Sequence, residues 1–304
     1  MAFHVTLADR RNALSDPLRA ALLMIGACLC FASMLTLVRY LSADIHPIQS
    51  AFFRNLFGLL ALLPWLVRDG LPGLKTRRFG AHLVRAAFGL TAMVCLFLSV
   101  SLMPLAEATA LTFTAPLFAT AGAALFLGET VRIRRWAATV IGFCGTLIIL
   151  RPGAETLSGG AAVALAAAAF MAAAMLMIKL LSRTESPNAI VFYFGALATP
   201  ASFVIALFFW TTPTPVMWLW FALLGGVATL GQVLLTRAFA AADASAVIPF
   251  DFARLVFVSV FAYLLFGQIP DLWTWIGAAV IFAAVLYITH RESRLGAARP
   301  PPTT

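Results

Sequence analysis

Ten apolar stretches, each close to the length that crosses a bilayer, occupy almost the whole of this chain of 304 residues. An α-helix rises about 1.5 Å per residue, so roughly 20 apolar residues bridge the hydrocarbon layer. The stretches fall at about 18–40, 47–67, 82–103, 105–127, 134–150, 159–181, 187–210, 214–236, 244–266 and 271–289. Lipid offers no partner to a bare N–H or C=O, and a helix satisfies both internally. The expected fold class is therefore an all-α integral membrane protein with ten transmembrane helices. Hydrophobic residues make up 62% of the chain and charged residues 11%. The longest connection, residues 68–81, is too short to bury a core, which excludes a soluble catalytic domain. The opening residues lack the short apolar segment and small-residue cleavage site of a secretory leader. Residues 291–304, Pro-rich at their end, are expected to be a disordered tail.

The net charge of +9 would suggest nucleic acid in a soluble protein, but its distribution says otherwise. Seventeen Lys and Arg fall on one side of the predicted membrane: Arg10, Arg11, Arg19, Arg68, Lys75, Arg77, Arg78, Arg85, Arg132, Arg134, Arg135, Lys179, Arg183, Arg237, Arg291, Arg294 and Arg299. The other side has Arg39 and Arg151, while Arg54 and Arg254 lie within spans. Loops rich in Lys and Arg stay cytoplasmic. The expected location is the bacterial inner membrane, multi-pass, with both termini in the cytoplasm. Trp65, Trp136, Trp210, Trp218, Trp220, Trp273 and Trp275 stand near predicted span ends, where tryptophan anchors at the interface.

The two halves repeat. HPIQSAFFRNLFGLL from His46 aligns with SPNAIVFYFGALATP from Ser186 at an offset of 140, pairing Pro47 with Pro187 and Arg54 with Phe194. ALFLGETVRIRRW, ending at Trp136, aligns with YLLFGQIPDLWTW, ending at Trp275, at an offset of 139. Residues 18–150 and 159–290 form the expected repeats, with five spans each. An odd number of crossings starts the second copy on the opposite face, so the halves are expected to be inverted about an axis in the membrane plane. Carriers use that symmetry to expose a midplane site to either side.

AEATALTFTAPLFATAGAALFLGE from Ala106, followed by RRWAATVIGFCGTLIILRP, resembles the drug/metabolite transporter superfamily in its EamA-type branch, with two EamA repeats. The resemblance covers roughly residues 18–290. Its signature stands here as Pro116 and Leu127-Gly128-Glu129; in the second copy Leu255 replaces the Pro and Phe266-Gly267-Gln268 replaces Leu-Gly-Glu. The likeness implies a secondary carrier of small metabolites. Within the branch it is similar to bacterial amino-acid exporters, including the aromatic amino-acid exporter, which implies amino-acid export. Uptake of a vitamin or nucleoside-like metabolite is the alternative, and an intramembrane enzyme belongs to a different class.

Polar residues inside the spans are the candidates for a substrate cavity, because charge in the hydrocarbon layer must face protein or water. Arg54 lies seven residues past Pro47, about 10 Å into the membrane. It either holds an anionic substrate group or serves structure, by snorkelling or binding freed carbonyls. Asp251 and Arg254, three residues apart, share a helix face and can pair. They either cancel one another's desolvation or present a carboxylate to an ammonium and a guanidinium to a carboxylate. Thr109, Thr112 and Pro116 share a face of the fourth span, where Pro116 leaves the Thr112 carbonyl without its helical donor. Gln232 in the eighth span, with Phe113 and Phe250, completes the candidate lining. These phenylalanines could stack on an aromatic solute or belong to ordinary apolar packing.

The sequence contains no phosphate-binding loop, His-Glu-x-x-His pair or Cys-x-x-Cys motif. No catalytic residue, metal site, cofactor or nucleic-acid partner is expected; the partners are a small-molecule substrate and membrane lipids. A monomer is compatible with this reading, and the oligomeric state is open. Cys28, Cys30, Cys95 and Cys144 read as small packing residues.

Overall fold

The computed structural model describes residues 16–69, 76–126, 133–150, 158–181, 184–185, 187–241, 250–251 and 253–297. Among them there are eleven α-helices and no strand. They are α1 (Asp16–Leu41), α2 (Pro47–Asp69), α3 (Phe79–Leu102), α4 (Leu105–Thr112), α5 (Ala115–Phe126), α6 (Ile133–Leu150), α7 (Gly159–Leu181), α8 (Pro187–Ala206), α9 (Pro215–Ala241), α10 (Ala253–Phe266) and α11 (Leu272–Ala297). Five helical stretches, Arg19–Leu41, Phe79–Leu102, Gly159–Ile178, Ala189–Phe209 and Pro215–Leu235, are long and apolar enough to cross a bilayer. Shorter apolar helical stretches run over Pro47–Leu63, Leu105–Ala119, Val140–Ile149, Ala253–Phe266 and Leu272–Ala284.

Proline starts α2, α8 and α9, where its missing N–H is not needed and its fixed φ suits the first turn. At α2 the Ile48 amide donates to Nδ1 of His46 at 3.3 Å, and the His46 ring stacks on Phe209 at 4.2 Å. Burial pushes the His46 pKa below the ordinary histidine value, which keeps Nδ1 free to accept.

The span expected at 105–127 is two helices. Phe113 and Thr114 donate to Ala110 and Leu111, each at 3.1 Å, and close α4 with a tight turn. Pro116 has no N–H for the Thr112 carbonyl, so the ladder stops and α5 begins one residue before the proline. What the sequence suggests is a kink is a break. At the repeat offset of 139, Ala115 corresponds to Arg254, the second residue of α10. The start of α10 thus matches the start of α5 to within a residue, although Leu255 stands where the first copy has Pro116.

Packing between the halves is reciprocal. The first helix of each half lies on the third of the other, α1 on α9 and α7 on α3; α2 meets α8, α4 meets α10, and α6 meets α11. The last pair approaches closely at two glycines. A Cβ on Gly277 would lie 2.6 Å from the Gly145 carbonyl oxygen, and one on Gly145 would lie 2.9 Å from that of Gly277. The core runs through α1 to α4 and takes in α9 and α10 of the other half, with Phe53, Phe97 and Phe221 its largest fully buried side chains. The outside is apolar as well, with Phe208 and Ile269 each more than three-quarters exposed, as a lipid-facing surface requires.

Two differences from the sequence reading concern ends. The second copy's Phe266-Gly267-Gln268 is a helix stop: Gly267 has φ +63°, and Gln268 N–H closes back on the Ala262 carbonyl at 3.1 Å. The Gln268 side chain then accepts the Leu105 N–H at 3.1 Å, capping α4 in the other half. At the C-terminus, α11 continues to Ala297, into the stretch expected as a tail. No proline interrupts it before residue 300, and Arg291 and Arg294 suit its negative end.

Candidate functional site

The turn between α4 and α5 and the start of α10 bring the main candidates together. Asp251 sits in the short turn before α10 and Arg254 in its first turn; Nη2 of Arg254 donates to Oδ2 of Asp251 at 3.0 Å. The pair is largely buried, with the Arg254 side chain 13% and the Asp251 side chain 27% exposed. Phe113, at the break of the first half, lies under Arg254, with the guanidinium carbon 5.1 Å from the ring centroid. A third contribution comes from α1. The Cys28 thiol lies 3.4 Å from the Phe250 carbonyl and 3.6 Å from that of Asp251, with Oδ1 of Asp251 at 3.8 Å. Cys28 is the buried packing residue the sequence suggests and also touches the acid. Nothing in the sequence signals a contact across more than 220 residues.

The remaining candidates behave differently. Thr109 and Thr112 are buried on α4 and donate to their own helix, to the Leu105 carbonyl at 2.8 Å and the Thr109 carbonyl at 2.7 Å. Their hydroxyl protons are therefore engaged, and only their acceptor lone pairs remain for a solute. Pro116 opens α5, and its side chain lies outside the described residues. Gln232 is half-buried on α9, next to Gly231, whose absent side chain admits Phe31 and Cys30 of α1. Phe250 is 39% exposed and does not contribute a closed wall.

Arg54 stands apart from this group. Its Nη1 donates to Oδ1 of the adjacent Asn55 at 3.0 Å, and Asn55 reaches Ser202 of α8 at 3.4 Å. Its Nε is buried without a partner. Near it is a cation that the sequence reading assigned to a loop. Arg85 is within α3 and 7% exposed; its guanidinium lies 4.0 Å from the centroid of Phe194, and Nε and Nη1 have no partner. The one available signal was Gly89, one turn further along α3, which leaves room for the guanidinium.

Other polar side chains act as fasteners. Arg39 donates to the Val100 and Ser101 carbonyls at the end of α3, each at 2.8 Å. Gln49 exchanges two hydrogen bonds with the Thr211 backbone, at 2.7 and 3.0 Å. An apolar groove of about 320 Å³ between α2 and α8 opens outward, and its hydroxyl, on Thr199, is bonded to its own helix at 2.7 Å.

The two halves pack reciprocally, and α5 and α10 start at matched positions. The EamA-like transporter family matches residues 18–151 and again residues 158–290. The chain belongs to that family. It is a multi-pass membrane protein of the drug/metabolite transporter superfamily. It is 35% identical to a riboflavin transporter of Vibrio cholerae over 91% of this chain and 95% of the relative. An S-adenosylmethionine uptake transporter of Rickettsia bellii is 32% identical, over 84% of this chain and 88% of the relative. The pseudopaline exporter CntI of Pseudomonas aeruginosa is also 32% identical, over 89% and 96%. A solved crystal structure, 19% identical, superposes with a TM-score of 0.63 over 91% of this chain and 98% of the other, and shares the fold. The EamA protein described here is a small-metabolite transporter. None of these three relatives is named for amino-acid export.

Proposed function

We propose that this EamA protein is a secondary carrier of the bacterial inner membrane that takes up a ring-bearing metabolite of the flavin or adenosyl type. Ten crossings, in inverted repeats at 18–150 and 159–290 with both termini cytoplasmic, would let the halves exchange conformations around a midplane site. The observation that carries the reading is 35% identity to a riboflavin transporter along nearly the full length of both chains. The Phe113 ring beneath Arg254 supports it, since a planar solute can stack where a guanidinium already does. Thr109, Thr112, Pro116, Gln232, Phe250 and Asp251 complete the proposed lining, with Arg54 as a separate polar contact to the solute.

Amino-acid export is a second reading, favoured by one feature: Asp251 and Arg254 together present the two charges that complement an amino acid's ends. A riboflavin-auxotrophic bacterium lacking its own importer, expressing this chain, separates the two. Growth on low external riboflavin, or accumulation of labelled riboflavin or S-adenosylmethionine, is expected. Release of preloaded amino acids without accumulation of either compound would overturn uptake in favour of export.

A further inference from the structure

Among the described residues, Arg54 and Arg85 are cations without a counter-charge. They lie about 10 Å and 9 Å along their helices from Pro47 and Phe79, too deep for bulk water to solvate them freely. No carboxylate lies within ion-pair distance of either among the described residues; Asp251 is committed to Arg254, and Glu185 lies near His82. Both stand beside α8: Arg85 lies on Phe194, and Arg54 donates to Asn55, which reaches Ser202. Three of their donor nitrogens, Nε of Arg54 and Nε and Nη1 of Arg85, are buried and unpartnered.

The arrangement around Arg85 is built. A Cβ on Gly89 would lie 2.9 Å from Nη1 of Arg85 and 2.9 Å from the Phe194 ring, so only glycine leaves the guanidinium its place. Phe194 occupies the position that corresponds to Arg54 in the other repeat. The second half supplies an aromatic face where the first supplies a cation, so neither repeat neutralises the charge. Like charges buried beside one helix with donors unfilled have one chemical complement, an anion that accepts from them.

We propose that Arg54 and Arg85 form a buried anion-binding site that holds the carboxylate or phosphate of the carried solute. The solute as source rests on the carrier reading, whereas the anion binding does not. Of the flavin and adenosyl solute types, the site favours S-adenosylmethionine, which carries a carboxylate, over riboflavin, which is neutral.

The full chain, purified in a neutral detergent, tests this by thermal unfolding while inorganic phosphate or acetate replaces chloride at constant ionic strength. A ligand that binds only the folded state raises the midpoint saturably. Such a rise is expected in the wild type and in Arg77→Gln, which alters the exposed basic loop. Half-saturation should move up by roughly tenfold or more in Arg54→Gln and Arg85→Met, and by a few-fold in Arg85→Lys, which keeps charge without the planar fork. No saturable rise in the wild type would overturn the site. So would an unchanged half-saturation in Arg85→Met or, if that variant does not accumulate, in Arg85→Lys. Stabilisation by phosphatidylglycerol in mixed micelles, with none from phosphate or acetate, would assign the arginines to lipid and overturn the proposal. No flux is measured, so a chain that carries nothing leaves this result readable, and lost anion response leaves the carrier reading standing.

Discussion

Two places in this molecule hold arginine inside the helical bundle, and they treat it in opposite ways. At the start of α10, Arg254 has a carboxylate one helical turn away at 3.0 Å and an aromatic ring beneath it. Between α2, α3 and α8, Arg54 has a neighbouring amide and Arg85 a ring. Desolvating a charge costs several kcal/mol unless a partner offsets it. The first site offsets that cost within one short segment of chain. The second offsets only part of it, through the Asn55 amide and the Phe194 ring, and no carboxylate among the described residues completes the rest. A self-compensated pair reads as architecture that can also touch solute; an uncompensated pair reads as a receptor for charge from outside the protein.

The largest effect should come from breaking the compensated pair. Asp251→Asn strands Arg254 and should lower stability by about 2 kcal/mol, allowing for the partial exposure of the acid. Arg254→Gln should cost somewhat less, and the double change should recover about half the loss. Folded protein remaining after graded heating reads all three. Strictly additive losses would show that the two residues do not compensate each other.

The uncompensated site should respond with the opposite sign. Arg85→Met removes a buried cation that lacks a carboxylate partner and keeps the volume, so in anion-free neutral detergent it should raise stability by about 1 kcal/mol. A clear loss would mean that Arg85 is satisfied by contacts of its own. Smaller still is Phe194→Leu, which takes away the ring facing Arg85 and should cost roughly 0.5–1 kcal/mol. The anion-induced rise in unfolding midpoint should survive that change, since the ring only substitutes in part for an anion.

Much of this contrast was legible in the chain, and the illegible part has physical causes. Hydropathy marked the helices because lipid forces apolar runs of fixed length, and prolines marked the starts of α2 and α8. The three-residue spacing of Asp251 and Arg254 announced a pair, because helix geometry is local. Arg85 was counted with loop charges, since position near a span end does not say which way a long side chain turns. Its burial depends on Phe194 of the other half, more than 100 residues away. The Cys28 contact with Asp251 is hidden for the same reason. The break at Phe113 was half visible, because Pro116 shows that a carbonyl loses its donor without showing whether the helix bends or restarts.

Counterflow into liposomes tests the carrier most directly. Vesicles containing the purified chain would be loaded with unlabelled riboflavin or S-adenosylmethionine and diluted into the same compound, labelled. A transient accumulation of label above its external level, absent from protein-free vesicles, is the expected result. Equilibration no faster than in protein-free vesicles for both compounds, alongside clear overshoot for amino acids, would contradict the account.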